Sequence, residues 1–159
     1  MRNNDDIPSS RRAWLKQATA LAAVAVTPSI WLHAALKPHL SVKRNPGCSC
    51  CEKWVEHMRA AGFEIDISDD PKLSELKDRL HVPADVRACH TSQGEGYVFE
   101  GHIPAATIQR FLDERPRALG LAVGGMPAGS PGMESSSPVA YDIMAFDQVK
   151  SWVYEKHAP

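Results

Sequence analysis

Three of the chain's four cysteines stand within four residues, Cys48-Ser49-Cys50-Cys51, where a short β pattern gives way to a helical one. The fourth, Cys89, is followed at once by His90. Adjacent Cys50 and Cys51 can bond to each other only through a strained ring, so pairing inside the cluster accounts poorly for three crowded sulfurs. Thiolates gathered this closely suit a soft ion, and copper(I), zinc and iron–sulfur centres are the candidates. The competing arrangement is a pair of disulfides, Cys48–Cys51 with Cys50–Cys89, one of the three pairings that four cysteines allow.

The N-terminal residues bear on that choice. Ser10-Arg11-Arg12-Ala13-Trp14-Leu15-Lys16 carries the twin-arginine export pattern, with Trp14 where Phe is commoner, and an uncharged stretch follows over residues 17–36. If kept, a stretch of about 20 residues is long enough to span a bilayer. Thr27, Pro28, Ser29 and His33 interrupt its apolar character, and His33-Ala34-Ala35 offers a small-residue cleavage site. The expected organisation is a twin-arginine-type signal segment over 1–36 and one working domain over 37–159, exported to the periplasm, with membrane contact only through an uncleaved signal. In that oxidising compartment free thiols persist only if bonded, metallated or kept reduced by a partner.

The whole chain has a net charge of -1. Residues 1–36 hold four basic side chains (Arg2, Arg11, Arg12, Lys16) and two acidic ones (Asp5, Asp6), so 14 basic and 17 acidic residues remain beyond them, a net of -3. Basic residues are interspersed with acidic ones rather than clustered, which argues against nucleic-acid binding.

Leu40 and Val42 alternate with polar neighbours, predicting a strand that ends at Asn45-Pro46-Gly47. Trp54, Val55, Met58 and Ala61 then recur at helical spacing and Gly62 closes the helix, so the cysteine cluster sits at a helix N-terminus. Phe63, Ile65 and Ile67 give a second strand. Asp70-Pro71 opens a second helix with a Leu73, Leu76, Leu80 stripe. Two short strands over about 86–91 and 97–101 follow, and Pro104 begins a helix facing inward through Ile108, Phe111 and Leu112. The tail adds candidate strands over 119–123 and 139–146, joined by a Gly-, Pro- and Ser-rich loop over 124–138.

The order β-α-β-α-β-β-α, with Cys48 and Cys51 in CxxC spacing at the first strand–helix junction, resembles the thioredoxin fold. The expectation is an α/β protein: a central mixed four-stranded sheet flanked by helices, with a C-terminal loop and strand extension. That topology brings the end of the first strand, the start of the third at Cys89-His90 and the end of the fourth at Gly101-His102 to one edge. A helix N-terminus there favours thiolate over thiol. His90 is therefore a candidate ligand beside the cysteines, with His102 and the loop thioethers Met126 and Met133 as further candidates. Met58 reads as core, His57 as solvent-facing and His81 as a residue answering its helix dipole.

Cys48-Ser49-Cys50-Cys51-Glu52-Lys53-Trp54, Val82-Pro83-Ala84-Asp85, Ala88-Cys89-His90-Thr91, Gly96-Tyr97-Val98-Phe99-Glu100-Gly101-His102-Ile103-Pro104 and Gly125-Met126-Pro127-Ala128-Gly129-Ser130-Pro131-Gly132-Met133-Glu134 together resemble the CopG-like family of small thioredoxin-like bacterial proteins. The resemblance runs from about residue 40 to 146. It implies a periplasmic copper-binding protein of copper resistance or homeostasis, with Cys48, Cys50, Cys51 and Cys89 as ligands to one or more copper ions. Sequestration, redox handling and transfer to a periplasmic copper export system or another copper protein are the roles it implies. Ser49 replaces the family's usual glycine, and Gly124 stands where proline is common.

Two other functions fit the same residues. A thiol–disulfide oxidoreductase would use Cys48 as nucleophile and Cys51 as resolving thiol. Against it, the chain carries Ala88-Cys89-His90 where catalytic thioredoxins place a cis-proline. A structural zinc or iron–sulfur site would draw on the same cysteines and a histidine.

Overall fold

The structure, a computed structural model, describes residues 37–159; the expected signal segment over 1–36 lies outside the described residues. Eleven elements follow one another: β1 (His39–Arg44), α1 (Ser49–Ala60), β2 (Glu64–Asp69), α2 (Leu73–Arg79), a 3-10 turn (Ala84–Val86), β3 (His90–Gly94), β4 (Tyr97–Glu100), α3 (Ala105–Glu114), β5 (Gly120–Ala122), β6 (Tyr141–Phe146) and β7 (Ser151–His157).

The strands form one mixed sheet in the order β2-β1-β3-β4-β5-β6-β7. The first four have the thioredoxin-like arrangement: β1 and β2 are parallel, β3 is antiparallel to β1, and β4 is antiparallel to β3. The expected four-stranded sheet is thus the left part of a seven-stranded one. β5 pairs parallel to β4, and β6 and β7 continue antiparallel beyond it. β7 is the strand absent from the sequence reading; its Trp152 and Tyr154 pack against the core while Val153 between them is exposed, an alternation that marks a half-buried strand.

Alternation also divides the core between the two sheet faces. Leu40, Val42, Phe99, Leu121 and Ile143 meet Trp54, Val55 and Met58 of α1 and Ile108, Phe111 and Leu112 of α3 on one face. Val98, Ala122 and Phe146 meet Val82 and Val86, from the segment after α2, on the other. Met58 is core, as its place in the apolar stripe predicts.

Turns fix where the strands begin. β3 starts at His90, four residues later than position 86, because Ala84–Val86 forms a helical turn instead of extended chain. The hairpin to β4 closes through Glu95 and Gly96, both at left-handed φ (54° and 86°), the conformation a two-residue turn needs to match strand twist. α2 begins at Leu73, two residues after the Asp70-Pro71 opening, with Asp70 Oδ1 accepting the Lys72 N–H at 2.8 Å.

Candidate metal centre

Cys48 is the N-cap of α1, so Ser49, Cys50 and Cys51 form its first turn at the end of β1. Cys51 belongs to the buried face with Trp54, Val55 and Met58, which draws its sulfur inward; Cys50 is part-exposed. Cys48 and Cys51 are joined as a disulfide, with Cα atoms 5.4 Å apart. Pairing inside the cluster, which the sequence made unattractive, therefore occurs across the CxxC spacing rather than between neighbours. The second pair of the disulfide alternative does not form: Cys50 and Cys89 are free thiols, with sulfurs 3.9 Å apart.

Cys89 comes from the chain entering β3. Its Sγ lies 3.3 Å from that of Cys51, and Cys48 Sγ is 3.5 Å from that of Cys50. The backbone holds it there through Asn45 N–H, which donates to Cys89 O at 3.2 Å. No cis peptide bond occurs among the described residues.

A buried ion pair braces the same segment. Lys77 Nζ bonds to Glu100, to Thr91 Oγ1 at 3.0 Å and to Ala88 O at 3.1 Å. Glu100 in turn accepts Ala88 N–H at 2.6 Å and Thr91 O–H at 2.6 Å. The network grips both sides of Cys89-His90. Sequence periodicity missed it because Lys77, one turn after Leu73 on the buried face of α2, is a charged residue that the leucine stripe does not include; Thr91 and Glu100, paired across β3 and β4, were its faint signal.

Both histidines of the shared edge reach Cys89. His102 Nε2 is 3.1 Å from Cys89 Sγ and His90 Nδ1 is 3.5 Å from it. His102 Nδ1 is 2.8 Å from Pro131 O. A carbonyl only accepts, so Nδ1 carries the ring proton and Nε2 offers its lone pair toward the sulfur, the second-sphere arrangement common to metal-binding histidines. Burial holds both imidazoles below the ordinary histidine value, His90 well below it, with His102 and Lys77 acting in the same direction on His90. Burial also pushes the Cys89 thiol up to about 12, with neighbouring Cys50 adding to it. The thiolate-favouring effect of the helix N-terminus thus does not extend to metal-free Cys89, which lies off the helix.

The loop over 124–138 covers the outer side. Gly132 lies against α1 so closely that a Cβ there would stand 2.7 Å from Cys50 O and 2.9 Å from Trp54 N, at φ +83°. Met126 is half-exposed with its Sδ 3.9 Å from Cys50 Sγ. Met133 lines the same cavity of about 390 Å³ as Cys50, Met126, Lys53 and Glu134. Trp54 Nε1 donates to Ile103 O at 2.8 Å, tying α1 to the turn that presents His102.

The four cysteine sulfurs all lie within 4.8 Å of one another, and the Cys89, His90 and His102 donor atoms form a second such group. Metal–sulfur bonds of about 2.3 Å in tetrahedral geometry need sulfurs ~3.8 Å apart, close to these spacings. The donor set fits a soft metal ion once the disulfide is open. His57 is exposed, as read from its place beyond the apolar stripe, yet its Nε2 accepts Ala105 N–H at 3.0 Å at the start of α3. His81 follows α2 at left-handed φ, 56°.

A family model described as a protein of unknown function, DUF411, matches residues 86–133. A solved structure of copper resistance protein copG, form 1, is 36% identical with a TM-score of 0.72, covering 77% of this chain and 100% of that one. Form 2 of the same protein matches at 36% identity and TM-score 0.72 over 76% of this chain and 98% of that one. No curated protein matches the chain. At this identity across the whole of the copG structure, the chain belongs to the CopG-like family.

Proposed function

We propose that this chain is a periplasmic copper-handling protein of copper resistance or homeostasis, binding copper(I) through Cys48, Cys50, Cys51 and Cys89. The observation that carries this reading is the convergence of four sulfurs within 4.8 Å at one sheet edge. Soft sulfur donors favour copper(I) over harder ions, and added thioethers strengthen that bias. His90 stands as a further ligand, with His102, Met126 and Met133 at the margin. The naming of both solved relatives as copper resistance proteins supports copper as the cargo. Residues 1–36 act as a twin-arginine-type export signal, and the working domain is 37–159. Cargo passes to a periplasmic copper export system or another copper protein.

Opening the Cys48–Cys51 bond takes two electrons and two protons from a dithiol reductant, which becomes a disulfide, and the four thiols then lose their protons to solvent as copper(I) binds. Titration of the reduced domain with copper(I) against a competing chelator tests the reading. Tight, stoichiometric binding supports it, and failure to outcompete a weak chelator rejects it.

The closed Cys48–Cys51 bond favours one second reading, thiol–disulfide exchange with Cys48 as nucleophile and Cys51 as resolving thiol. Insulin reduction by metal-free protein tests it.

A further inference from the structure

Three of the four sulfurs are held by a helix and one is not. Cys48, Cys50 and Cys51 cap and open α1, whereas Cys89 lies in a stretch, residues 87–89, that belongs neither to the 3-10 turn before it nor to β3 after it. Single backbone bonds reach Arg87 O from Gly125 N–H and Cys89 O from Asn45 N–H, both at 3.2 Å, and Ala88 between them is left to side chains. Yet the Cys89 sulfur stands 3.3 Å from that of Cys51. We propose that Lys77 and Glu100 are positioning residues for Cys89: the buried pair takes the place of a strand ladder and sets where this sulfur meets the other three. The proposal rests on reading the four sulfurs as a copper(I) site.

The connections of the pair converge on this stretch. An ammonium has three protons, and Lys77 directs them to Glu100, Thr91 Oγ1 and Ala88 O. Glu100 accepts Lys77 and the Ala88 N–H on one carboxylate oxygen and the Thr91 hydroxyl on the other. Both backbone groups of Ala88 are thereby held by one ion pair. With every proton of Lys77 and both oxygens of Glu100 engaged, the pair is a closed brace and not an acid or base in reserve. Gly101, next to Glu100, packs so closely that a Cβ there would stand 2.6 Å from Ala88 Cβ, so the clamped residue has no room to slide toward it.

Stability alone does not account for such a pair. Taking two charges out of water offsets much of their attraction, and apolar side chains of similar size in their place are often neutral. What the pair supplies, and methionine with leucine cannot, is direction: two bonds aimed at the two backbone groups of one residue. Metal sites are sensitive to such bracing, since partners that orient ligands commonly account for about 10–100-fold in affinity.

The test measures copper(I) affinity of the reduced full chain against a competing chelator, as a double-mutant cycle. Lys77→Met combined with Glu100→Leu, its fold followed by urea denaturation, should weaken binding by about tenfold or more. The same loss should recur in a Cys50→Ser background and fall away in a Cys89→Ser background, because Cys50 is held by α1 and Cys89 by the pair. A loss as large in the Cys89→Ser background as in the Cys50→Ser one is what general loosening gives, and it overturns the proposal; so does the absence of any loss in the wild-type chain. Thr91→Val, which removes the hydroxyl shared by the pair at nearly constant size, carries the same cycle if the double variant does not fold. A second readout needs no copper. In the disulfide form Cys50 and Cys89 are the free thiols, and iodoacetamide should modify Cys89 several-fold faster in the variant while the Cys50 rate stays unchanged. An unchanged Cys89 rate overturns the proposal. Failure of the wild-type chain to bind copper(I), with Cys89 still released in the variant, defeats the copper reading and leaves the positioning of Cys89 standing.

Discussion

Lys77 and Glu100 form an ion pair inside the protein, and between them they bond to Ala88 and Thr91, the residues on either side of Cys89-His90. Removing one member strands the other's charge, which costs about 3–5 kcal/mol at buried sites. Glu100→Ala should therefore lower unfolding stability by an amount in that range, whereas Lys77→Met combined with Glu100→Leu should recover most of it. Urea denaturation of the metal-free protein measures both, and a double variant as unstable as the single one would contradict the assignment.

Acidification should loosen the contact between α1 and α3. His57 accepts Ala105 N–H, so its ring must be neutral there, and partial desolvation of this otherwise exposed residue lowers its pKa below the ordinary 6.5 while Glu134 pulls the other way. A histidine with a lowered folded pKa binds protons more readily when unfolded. Its contribution is complete above 6.5 and is lost as pH falls through the folded value. His90 and His102 carry the same sign, while buried Glu100, raised from 4.5, carries the opposite one. Wild-type protein should lose more stability than His57→Gln between about pH 7.5 and 5.5. Equal losses in thermal melts would remove His57 from the account.

Gly132 admits no side chain without moving the loop. Its Cβ would meet backbone of α1 at 2.7 and 2.9 Å, and its φ is +83°. Gly132→Ala should cost about 1–3 kcal/mol, the range for overpacking, and should free the neighbouring Pro131 O from His102. A histidine ¹⁵N spectrum in which His102 keeps a single Nδ1-protonated tautomer in the variant would show that the loop is not what orients it.

Cys50 separates the copper reading from the oxidoreductase one. It lies outside the disulfide, with its sulfur 3.5 Å from Cys48 and 3.9 Å from Cys89. Cys50→Ser should weaken copper(I) binding by at least about tenfold, or ~1.4 kcal/mol. Insulin reduction carried by Cys48 and Cys51 should change little. A variant that binds copper(I) normally while losing reductase activity would reverse the ranking of the two functions.

Much of the frame was legible because local signals agreed with one another. Leu40 and Val42 marked β1, the Trp54–Met58 spacing marked α1, and Gly62 and Pro104 marked boundaries that the structure keeps. Those elements sufficed to predict that the chain near Cys48, Cys89 and His102 would meet. What escaped was non-local. Lys77 looks like an exposed helix residue until Glu100, on another element, supplies its partner. His57 was read by its own helix face, yet its hydrogen bond goes to α3. The state of the sulfurs was hidden for a different reason: the CxxC spacing permits both a disulfide and a metal, and choosing between them is a matter of electron supply.

The loop over 124–138 has one foot on β5 and the other on β6, and β6 is held from outside by β7. The C-terminal strands contribute no residue to either donor group, yet they clamp the arch whose Pro131 orients His102. A chain clipped after Pro138 would keep every cysteine, histidine and methionine of the centre and lose the anchorage of its roof. Integrity of residues 139–159 is thus a condition for the centre's shape, and a cut far from the metal edge would act on it as a remote lesion.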